Sequence, residues 1–208
     1  MWDCGTGSGQ AAVPLASRFD EVVASDPSYS QLEHAQRDER VKYVAMTAEA
    51  SALESGSVQL LTVAQALHWF NHTRFYSEAR RVLVAGGVIA VWTYALLTVN
   101  PEIDALVLDF YRNEVGPFWP AERALVDAGY STLTFPFHEL PVPEFRMTAA
   151  WTFEQFIGYV NTWSAVTRYR KAKGINPVDR FADALRPVWQ AATVHEVRWP
   201  LEVRVGTA

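Results

Sequence analysis

The chain has 208 residues, which fits one domain or one domain with a large insertion. Half of the residues are apolar and a fifth are charged, enough for a sizeable core, so a disordered chain, a coiled coil and a collagen-like repeat are excluded. Lys and Arg number 18 against 23 Asp and Glu, for a net charge of −5, and no long basic tract occurs. We therefore expect no nucleic-acid partner.

A single cysteine excludes an internal disulfide and a cysteine-rich zinc site, and it suits a reducing compartment. No apolar segment approaches the roughly 18 residues of a membrane helix, and no signal peptide is visible. The sequence therefore predicts a cytoplasmic protein without a membrane partner.

Strand and helix patterns alternate in the first half of the chain, which predicts a βαβ arrangement around a mainly parallel sheet. Crossover helices are predicted at 10–18, at 29–38 and from Asn71, an N-cap residue type, to Leu83. Apolar and β-branched runs predict four strands, over 22–26, 41–46, 58–64 and 88–92.

The second half is rich in proline, with nine of the eleven prolines beyond residue 100. Asn100-Pro101-Glu102 predicts a helix start. Thr152 and Gln155 match a capping box, with a helix predicted over 153–170 behind them. The tail from 194 to 205 predicts a final strand, broken at Pro200.

The predicted fold is α/β: one Rossmann-like, doubly wound domain over 1–208 with a mostly parallel sheet. The aromatic-rich segment 93–192 is predicted to contain a helical lid or substrate-binding insertion.

A glycine-rich loop begins at the third residue, with the sequence Asp3-Cys4-Gly5-Thr6-Gly7-Ser8-Gly9. Alternate glycines let the backbone turn sharply and approach a ligand, and a helix start offers free N–H groups. The G-x-G-x-G spacing differs from the dinucleotide fingerprint, and Asp3 would repel a pyrophosphate but hold an ammonium group. Asp26, at the end of the next strand, is placed to accept ribose hydroxyls. The predicted ligand is a nucleoside with a cationic, amino-acid-like tail, an outline that S-adenosylmethionine has.

At these residues the chain resembles the class I S-adenosylmethionine-dependent methyltransferases, because Asp3 to Gly9 resembles their motif I. The His68-Trp69-Phe70 ending is typical of the small-molecule branch of trans-aconitate methyltransferase-like proteins. At the turn before strand five, Val84 and Ala85 replace the lysine and proline usual in the family. Further motifs follow in order along almost the whole chain: Val22 to Asp26, Thr47-Ala48-Glu49, Val63 to Phe70 and Val84 to Gly87.

The resemblance implies transfer of a methyl group from S-adenosylmethionine to a small-molecule acceptor, with a carboxylic acid as the leading candidate. It implies that Asp3 and the glycine loop face the methionine part of the cofactor and that Asp26 binds the ribose. The implied cofactor-binding residues are Asp3, Gly5, Gly7, Gly9, Asp26, Ala48 and Glu49 near the adenine, and Gln65 and Ala66 at the methyl-donor end.

Methyl transfer from a sulfonium is an in-line displacement, so the protein mainly aligns the acceptor and excludes water. His68 is the candidate catalytic residue, able to accept a proton or to hold an anionic substrate; the alternative is a capping or packing role. Trp69, Trp163 and Arg168 are candidate substrate-binding residues, against core packing for the tryptophans and a solvated charge for Arg168. Cys4 is interpreted as a small turn residue rather than a nucleophile, and no metal site is expected.

The alternative hypothesis is a non-catalytic methyltransferase-like domain that has lost cofactor binding. In the family, a helical segment and the body of strand one precede the glycine loop, whereas here only Met1 and Trp2 precede Asp3. We therefore expect a largely missing first strand, through a truncated gene model, a fragment, or a short protein that recruits a strand. A nicotinamide dehydrogenase ranks third, because the glycine spacing and His68-Trp69-Phe70 disfavour it. The sequence leaves the oligomeric state open.

Overall fold

The computed structural model describes residues 1–190 and 193–208 and groups them into two compact units. Residues 191 and 192, at the end of the predicted insertion, lie outside the described residues. The first unit holds Met1–Tyr94, Ala128–Phe145 and Leu201–Ala208, and the second holds Ala95–Asp127 and Arg146–Pro200.

Eight strands form one sheet within the described ranges, in the order β3-β2-β1-β4-β5-β8-β6, with β7 paired to β8. Strands β1 to β5 pair in parallel, and β8 is antiparallel to both β5 and β6. The order runs outward from β1 to β3 on one side and from β4 to β5 on the other, which is the doubly wound arrangement. This confirms the predicted fold class. The strands are β1 (Trp2–Cys4), β2 (Val22–Ser25), β3 (Val41–Val44), β4 (Val58–Ala64), β5 (Leu83–Tyr94), β6 (His138–Leu140), β7 (Phe145–Trp151) and β8 (His195–Thr207).

The first strand, expected to be largely missing, consists of the three residues Trp2–Cys4, which form β1 between β2 and β4. Trp2 and Asp3 pair with β4 on one side, and all three residues pair with β2 on the other. Val23 N–H donates to the Met1 carbonyl at 2.9 Å, and the Met1 ammonium donates to the Glu21 carbonyl at 2.8 Å. Three residues thus make the ladder contacts that hold β2 and β4 together beneath the glycine loop.

Eight α-helices occur in the part of the chain that the structure describes. The three predicted helix starts are confirmed: Asn71 Oδ1 accepts from Arg74 N–H, Asn100 Oδ1 accepts from Ile103 N–H, and Thr152 forms its capping box with Gln155. The helices are α1 (Ala12–Ala16), α2 (Tyr29–Glu33), α3 (His72–Val82), α4 (Pro101–Asp109), α5 (Arg123–Asp127), α6 (Phe153–Asn161), α7 (Ser164–Lys173) and α8 (Pro177–Trp189).

The helices predicted at 10–18 and 29–38 are shorter in the structure, and three other differences from prediction have local reasons. The helix predicted over 153–170 is two helices, because Trp163 is extended (φ −60°, ψ 134°) between α6 and α7. Gly86-Gly87 lie inside β5 rather than before it, where the β4–β5 register shifts and forms a bulge. The final strand continues through Pro200, because its ladder with β5 begins only at Leu201 and does not need the missing N–H.

Strands β6 and β7 were not predicted from the sequence. All of β6 and most of β7 are exposed, so neither carries the alternation of buried and exposed residues that identifies a strand. No helix among the described residues is long and apolar enough to cross a membrane.

Candidate active site

The loop after β1 takes its shape from three glycines with left-handed backbone: Gly5 (φ +72°), Gly7 (φ +56°) and Gly9 (φ +91°). Its start is fixed to the neighbouring strand, because the amides of Gly5 and Thr6 both donate to the Ser25 carbonyl, at 2.8 and 2.9 Å. Left-handed conformations are costly for residues with a Cβ, which explains the glycines that the sequence shows here.

Two of these glycines also allow close packing. A Cβ on Gly5 would lie 2.5 Å from the Ala66 Cβ, and a Cβ on Gly9 would lie 2.2 Å from the Tyr43 hydroxyl oxygen. The loop after β1 is therefore pressed against the loop after β4 at Gly5. Gly9 is buried and packs against Tyr43, a residue of β3, and it is not among the residues that line the cavity described below.

Asp26 directly follows β2 and is half-buried. Its Oδ2 accepts from the Gly7 N–H at 3.0 Å and its Oδ1 accepts from the Ser28 N–H at 2.8 Å. Each carboxylate oxygen can accept a further hydrogen bond, so Asp26 is oriented by backbone amides and can still receive hydroxyl donors.

Asp3 is placed differently from the prediction that it faces the cofactor. It is 0% exposed, its Oδ2 accepts from the Thr6 hydroxyl at 2.6 Å, and its Oδ1 accepts from the Thr62 hydroxyl at 2.7 Å. Burial raises the pKa of this carboxyl above its ordinary value, and the two hydroxyl donors oppose that shift. Asp3 lies beneath the loop because it is part of the central strand. The prediction is that an ammonium group of the ligand donates to this carboxylate, but the donors in the structure are the hydroxyls of Thr6 and Thr62.

A cavity of about 550 Å³ opens at the carboxyl ends of β1 to β4, where the strand order changes direction. Its volume lies within the range of small-molecule sites, and its position is where open α/β sheets bind ligands. Of the predicted cofactor and substrate residues, the cavity is lined by Gly5, Gly7, Asp26, Ala48, Glu49, Gln65, Ala66 and Trp69.

The cavity is also lined by residues that were not predicted to bind a ligand, among them Gln31, Met46 and Phe70. Phe70 belongs to the motif Val63 to Phe70 and Met46 directly precedes the motif Thr47-Ala48-Glu49, so the sequence carries a signal for both. Gln31 lies on α2, and its nearness to the glycine loop follows from the tertiary fold.

Gln65 is held in an uncommon conformation at the end of β4, with φ +54°. Its Nε2 donates to the Tyr94 carbonyl at 2.9 Å, and its Oε1 accepts from the Tyr94 N–H at 3.3 Å and from the Thr93 hydroxyl. Such backbone strain in a non-glycine residue occurs mostly at functional sites.

His68 and Trp69 lie on a 3₁₀ helix formed by Leu67–Trp69, directly after the Gln65-Ala66 turn. Trp69 is 57% exposed and lines the cavity, with its ring centroid 4.8 Å from that of His68. His68 Nδ1 lies 2.8 Å from the Tyr130 hydroxyl oxygen. The sequence does not reveal this contact, because the two residues are 62 positions apart.

Trp163 and Arg168 belong to the second unit. Trp163 is buried, and its ring packs against those of Phe110, Tyr111 and Trp119. The packing alternative therefore describes Trp163, which differs from the predicted substrate role. Arg168 is an exposed residue of α7.

Cys4 is buried in β1, where burial raises the pKa of its thiol well above the ordinary value. A thiol without thiolate character is a poor nucleophile. Among the residues that the structure describes, no group of three or more His, Cys, Asp and Glu side chains is arranged to hold a metal ion.

Comparison with known proteins identifies the family. A family model described as a methyltransferase domain matches residues 2–91, which include β1 to β4 and most of β5. A protein of Dictyostelium discoideum, assigned as a methyltransferase, is 36% identical over 173 residues, which are 82% of this chain and 66% of that protein. The chain thus spans just under two thirds of that relative's length.

A solved structure from Anaeromyxobacter dehalogenans, assigned to the type II methyltransferases, is 43% identical. It superposes with a TM-score of 0.91 over 99% of this chain and 88% of its own. A methyltransferase structure from Bacillus halodurans, 22% identical with a TM-score of 0.53 over 99% of this chain and 90% of its own, supports the fold alone.

The cavity suits the cofactor of this family: a glycine loop permits close approach, and a carboxylate fixed by backbone amides keeps capacity for hydroxyl donors. The narrower trans-aconitate branch stays a prediction. By its fold and its relatives, the chain belongs to the class I S-adenosylmethionine-dependent methyltransferases, and S-adenosylmethionine is its cofactor.

Proposed function

We propose that this chain transfers a methyl group from S-adenosylmethionine to a small-molecule acceptor, with carboxylic acids as the first class to test. The observation that carries the proposal is the cavity at the carboxyl ends of β1 to β4, where the glycine loop, Asp26 and Gln65 converge. The single buried cysteine favours a reducing compartment, and we propose the cytoplasm as the location.

The proposed cofactor contacts follow the lining of this cavity. Asp26 receives the ribose hydroxyls, Ala48 and Glu49 lie beside the adenine, and Gln65 and Ala66 border the methyl-donor end. Gly5 and Gly7 allow the methionine part to approach the backbone. In this assignment Asp3 supports the loop through Thr6 and Thr62 and does not contact the ligand.

The cofactor supplies an activated methyl group on a sulfonium, so the protein's task is alignment and exclusion of water. Trp69 provides an apolar surface at the cavity. His68 contacts the ring of Trp69 but is not among the residues that line the cavity. It is proposed to take a proton from a protonated acceptor or, when charged, to hold an acidic one.

A small acceptor is favoured over a nucleic acid because the chain is acidic and carries no basic tract. Arg168 is proposed to pair with a substrate carboxylate, since its guanidinium suits bidentate binding. Trp163 is not part of the proposed substrate site, because it is packed among aromatic side chains of its own unit.

The first test is isothermal titration of the full chain with S-adenosylhomocysteine. We expect binding in the roughly micromolar to millimolar range typical of enzyme ligands. A folded protein that gives no heat would favour the non-catalytic alternative. The second test is transfer of a labelled methyl group to panels of carboxylic acids, phenols and amines, with and without Arg168→Ala. If Arg168 binds a carboxylate, the variant raises KM for the acids and leaves it unchanged for the amines.

A further inference from the structure

Gln65 directly follows β4 and has a left-handed backbone, with φ +54°, which residues that carry a Cβ seldom adopt. A glycine would take this conformation without steric cost. The residue is still joined to the sheet, because its N–H donates to the Trp92 carbonyl at 2.9 Å, and it lines the cavity. A strained residue at this position indicates that its side chain has a task that glycine could not perform.

The side-chain amide of Gln65 makes the hydrogen bonds that a peptide group of a strand would make. Nε2 donates to the Tyr94 carbonyl at 2.9 Å, and Oε1 accepts from the Tyr94 N–H at 3.3 Å. A carbonyl can only accept and an N–H can only donate, so the orientation of the amide is fixed. The backbone ladder between β4 and β5 ends at Ala64 and Trp92, and the amide extends it to Tyr94.

The amide oxygen has no capacity left for a ligand. It also accepts from the hydroxyl of Thr93, a residue that is 0% exposed. A carboxamide oxygen has two lone pairs, and the Tyr94 N–H and the Thr93 hydroxyl use both. Nε2 keeps one proton beyond its bond to Tyr94, so a direct contact of the amide with a ligand could only be made by that proton.

The turn that begins at Gln65 carries two residues of the cavity lining. Ala66 is buried and lies so near Gly5 that a Cβ on the glycine would be 2.5 Å from the Ala66 Cβ. Trp69 follows on the 3₁₀ helix Leu67–Trp69 and also lines the cavity. The position of this turn therefore sets both the wall at Trp69 and the contact with the glycine loop.

We propose that Gln65 is a positioning residue whose amide takes the place of a strand peptide opposite Tyr94 and so holds the turn that brings Ala66 and Trp69 to the cavity. The consequence for ligand binding rests on the proposed function. Gln65 acts on the cofactor through the shape of the cavity wall, and its side chain makes no contact with it. The competing explanation is a direct contact through the second Nε2 proton.

The pairing of Gln65 with Tyr94 is measurable without a ligand. Proton–nitrogen correlation spectra of the full chain resolve side-chain amide groups, and the Gln65 signals are assigned by their loss in Gln65→Glu. We expect these protons to exchange with water at least about tenfold more slowly than those of Gln59, an exposed residue of β4. Equal rates for the two residues would overturn the proposal.

Gln65→Glu tests the pairing by titration calorimetry with S-adenosylhomocysteine between pH 8 and pH 5. At pH 8 the ionised carboxylate has no proton for the Tyr94 carbonyl, so the two oxygens repel each other and we expect affinity about 10- to 100-fold below wild type. As the pH falls, the protonated carboxyl donates to the carbonyl and accepts from the Tyr94 N–H. We expect the deficit to shrink at least about fivefold by pH 5.

The measured quantity is the ratio of variant to wild-type affinity at each pH. The titratable groups Asp26 and Glu49 line the same cavity, and both are present in the two proteins, so their own protonation largely cancels in the ratio. Gln59→Glu is the matched control, because it makes the same change in charge on the same strand at a residue that does not line the cavity. We expect its affinity within about twofold of wild type at every pH.

The direct contact predicts a different profile. A protonated carboxyl has one proton, which Tyr94 takes, so a lost contact through the second Nε2 proton would not return at pH 5. A deficit that stays constant with pH would therefore overturn the proposal.

Thr93→Val is the second variant if Gln65→Glu does not fold, because Thr93 bonds the amide and does not line the cavity. We expect both the exchange protection of the Gln65 amide and the affinity to fall about 3- to 10-fold, with Thr93→Ser near wild type. Unchanged affinity in Thr93→Val would also overturn the proposal. If the amide is protected but the wild type gives no heat with S-adenosylhomocysteine, the pairing stands and the proposed function fails.

Discussion

The loops after β1 and after β2 lie at the same edge of the sheet, and each is associated with an aspartate that the sequence assigns to the cofactor. Asp3 is fully buried and bonded to two threonine hydroxyls, whereas Asp26 borders the cavity and is bonded to two backbone amides. The two carboxylates therefore have different environments: the first is enclosed beneath the loop, and the second faces the cavity.

Their positions relative to the strands explain the difference. Asp3 is the middle residue of β1, paired with β2 on one side and with β4 on the other. Asp26 comes one residue after the last residue of β2, beyond its ladder with β1, and so retains an open side. A shift of two residues relative to the end of a strand separates a fully buried carboxylate from one that borders the cavity.

The largest expected effect concerns the contact of the first loop with the loop after β4. Gly5→Ala places a Cβ 2.5 Å from the Ala66 Cβ at φ +72°. Left-handed strain costs about 1–2 kcal/mol and overpacking about 1–3 kcal/mol more, so we expect a loss of about 2–5 kcal/mol in the free energy of unfolding. Urea unfolding measures it.

Gly56→Ala is the matched control, because Gly56 also has a left-handed backbone (φ +62°) but no atom lies within 4 Å of its added Cβ. We expect only the strain cost of about 1–2 kcal/mol. Equal losses in the two variants would show that the loop after β1 is not pressed against its neighbour.

The next effect separates the two aspartates by their affinity for S-adenosylhomocysteine. In Asp26→Asn the new NH₂ group must face a backbone N–H, so we expect affinity to fall about 10- to 100-fold, or about 1.4–2.7 kcal/mol. In Asp3→Asn the NH₂ group can donate to a threonine hydroxyl, and we expect a change within about threefold. Titration calorimetry that finds equal losses would restore Asp3 as a ligand-binding residue.

The pH dependence of the free energy of unfolding should distinguish the buried Asp3 from Glu78, which forms an ion pair with Arg81. Glu78 accepts from Arg81 Nε at 2.8 Å and from the Ser51 hydroxyl at 2.6 Å. Its pKa is lowered to about 2, first by the bond to Arg81. A lowered pKa contributes stability that is present above the ordinary value near 4.5 and is lost as the pH falls toward 2.

Glu78→Gln should therefore lower the free energy of unfolding at pH 7 by about 1–2 kcal/mol, a figure reduced for the partial exposure of Arg81. The loss should shrink toward pH 3. The contribution of Asp3 to stability has the opposite pH dependence, because its pKa is raised. This contribution is complete below the unfolded pKa of about 3.9 and is lost as the pH rises through the folded value. Asp3→Asn should remove this decrease in stability with rising pH. Urea unfolding across pH 3 to 7 measures the free energy of unfolding against pH, and equal slopes for Glu78→Gln and Asp3→Asn would contradict the prediction.

The smallest effect is on the thiol between Asp3 and Gly5. Because Cys4 is buried and its pKa is raised, we expect no reaction with an aromatic disulfide reagent in the folded state. Modification should proceed at the rate of unfolding, and S-adenosylhomocysteine should slow it further. A reaction faster than unfolding would mean that the loop opens locally and that β1 separates from its neighbouring strands while the rest of the chain stays folded.

The sequence by itself determined the features that depend on near neighbours. The strand over 58–64, the caps at Asn71 and Asn100 and the capping box at Thr152 follow from patterns a few residues long, and all are present. Eight of the residues that the glycine loop, the acid after β2 and the later motifs predict for the site line the cavity. These features are local because hydrogen bonds at helix ends and turns join residues two to four positions apart.

The tertiary structure alone decided which side chains share an environment. The burial of Asp3 depends on Thr62, 59 positions away, and the placement of His68 depends on Tyr130, 62 positions away. Trp163 belongs to a core because Phe110, Tyr111 and Trp119 pack around it, although its own segment reads as one continuous helix. Such contacts arise from the pairing of strands and the packing of helices, which bring distant residues together and leave no periodic trace in the sequence around any one of them.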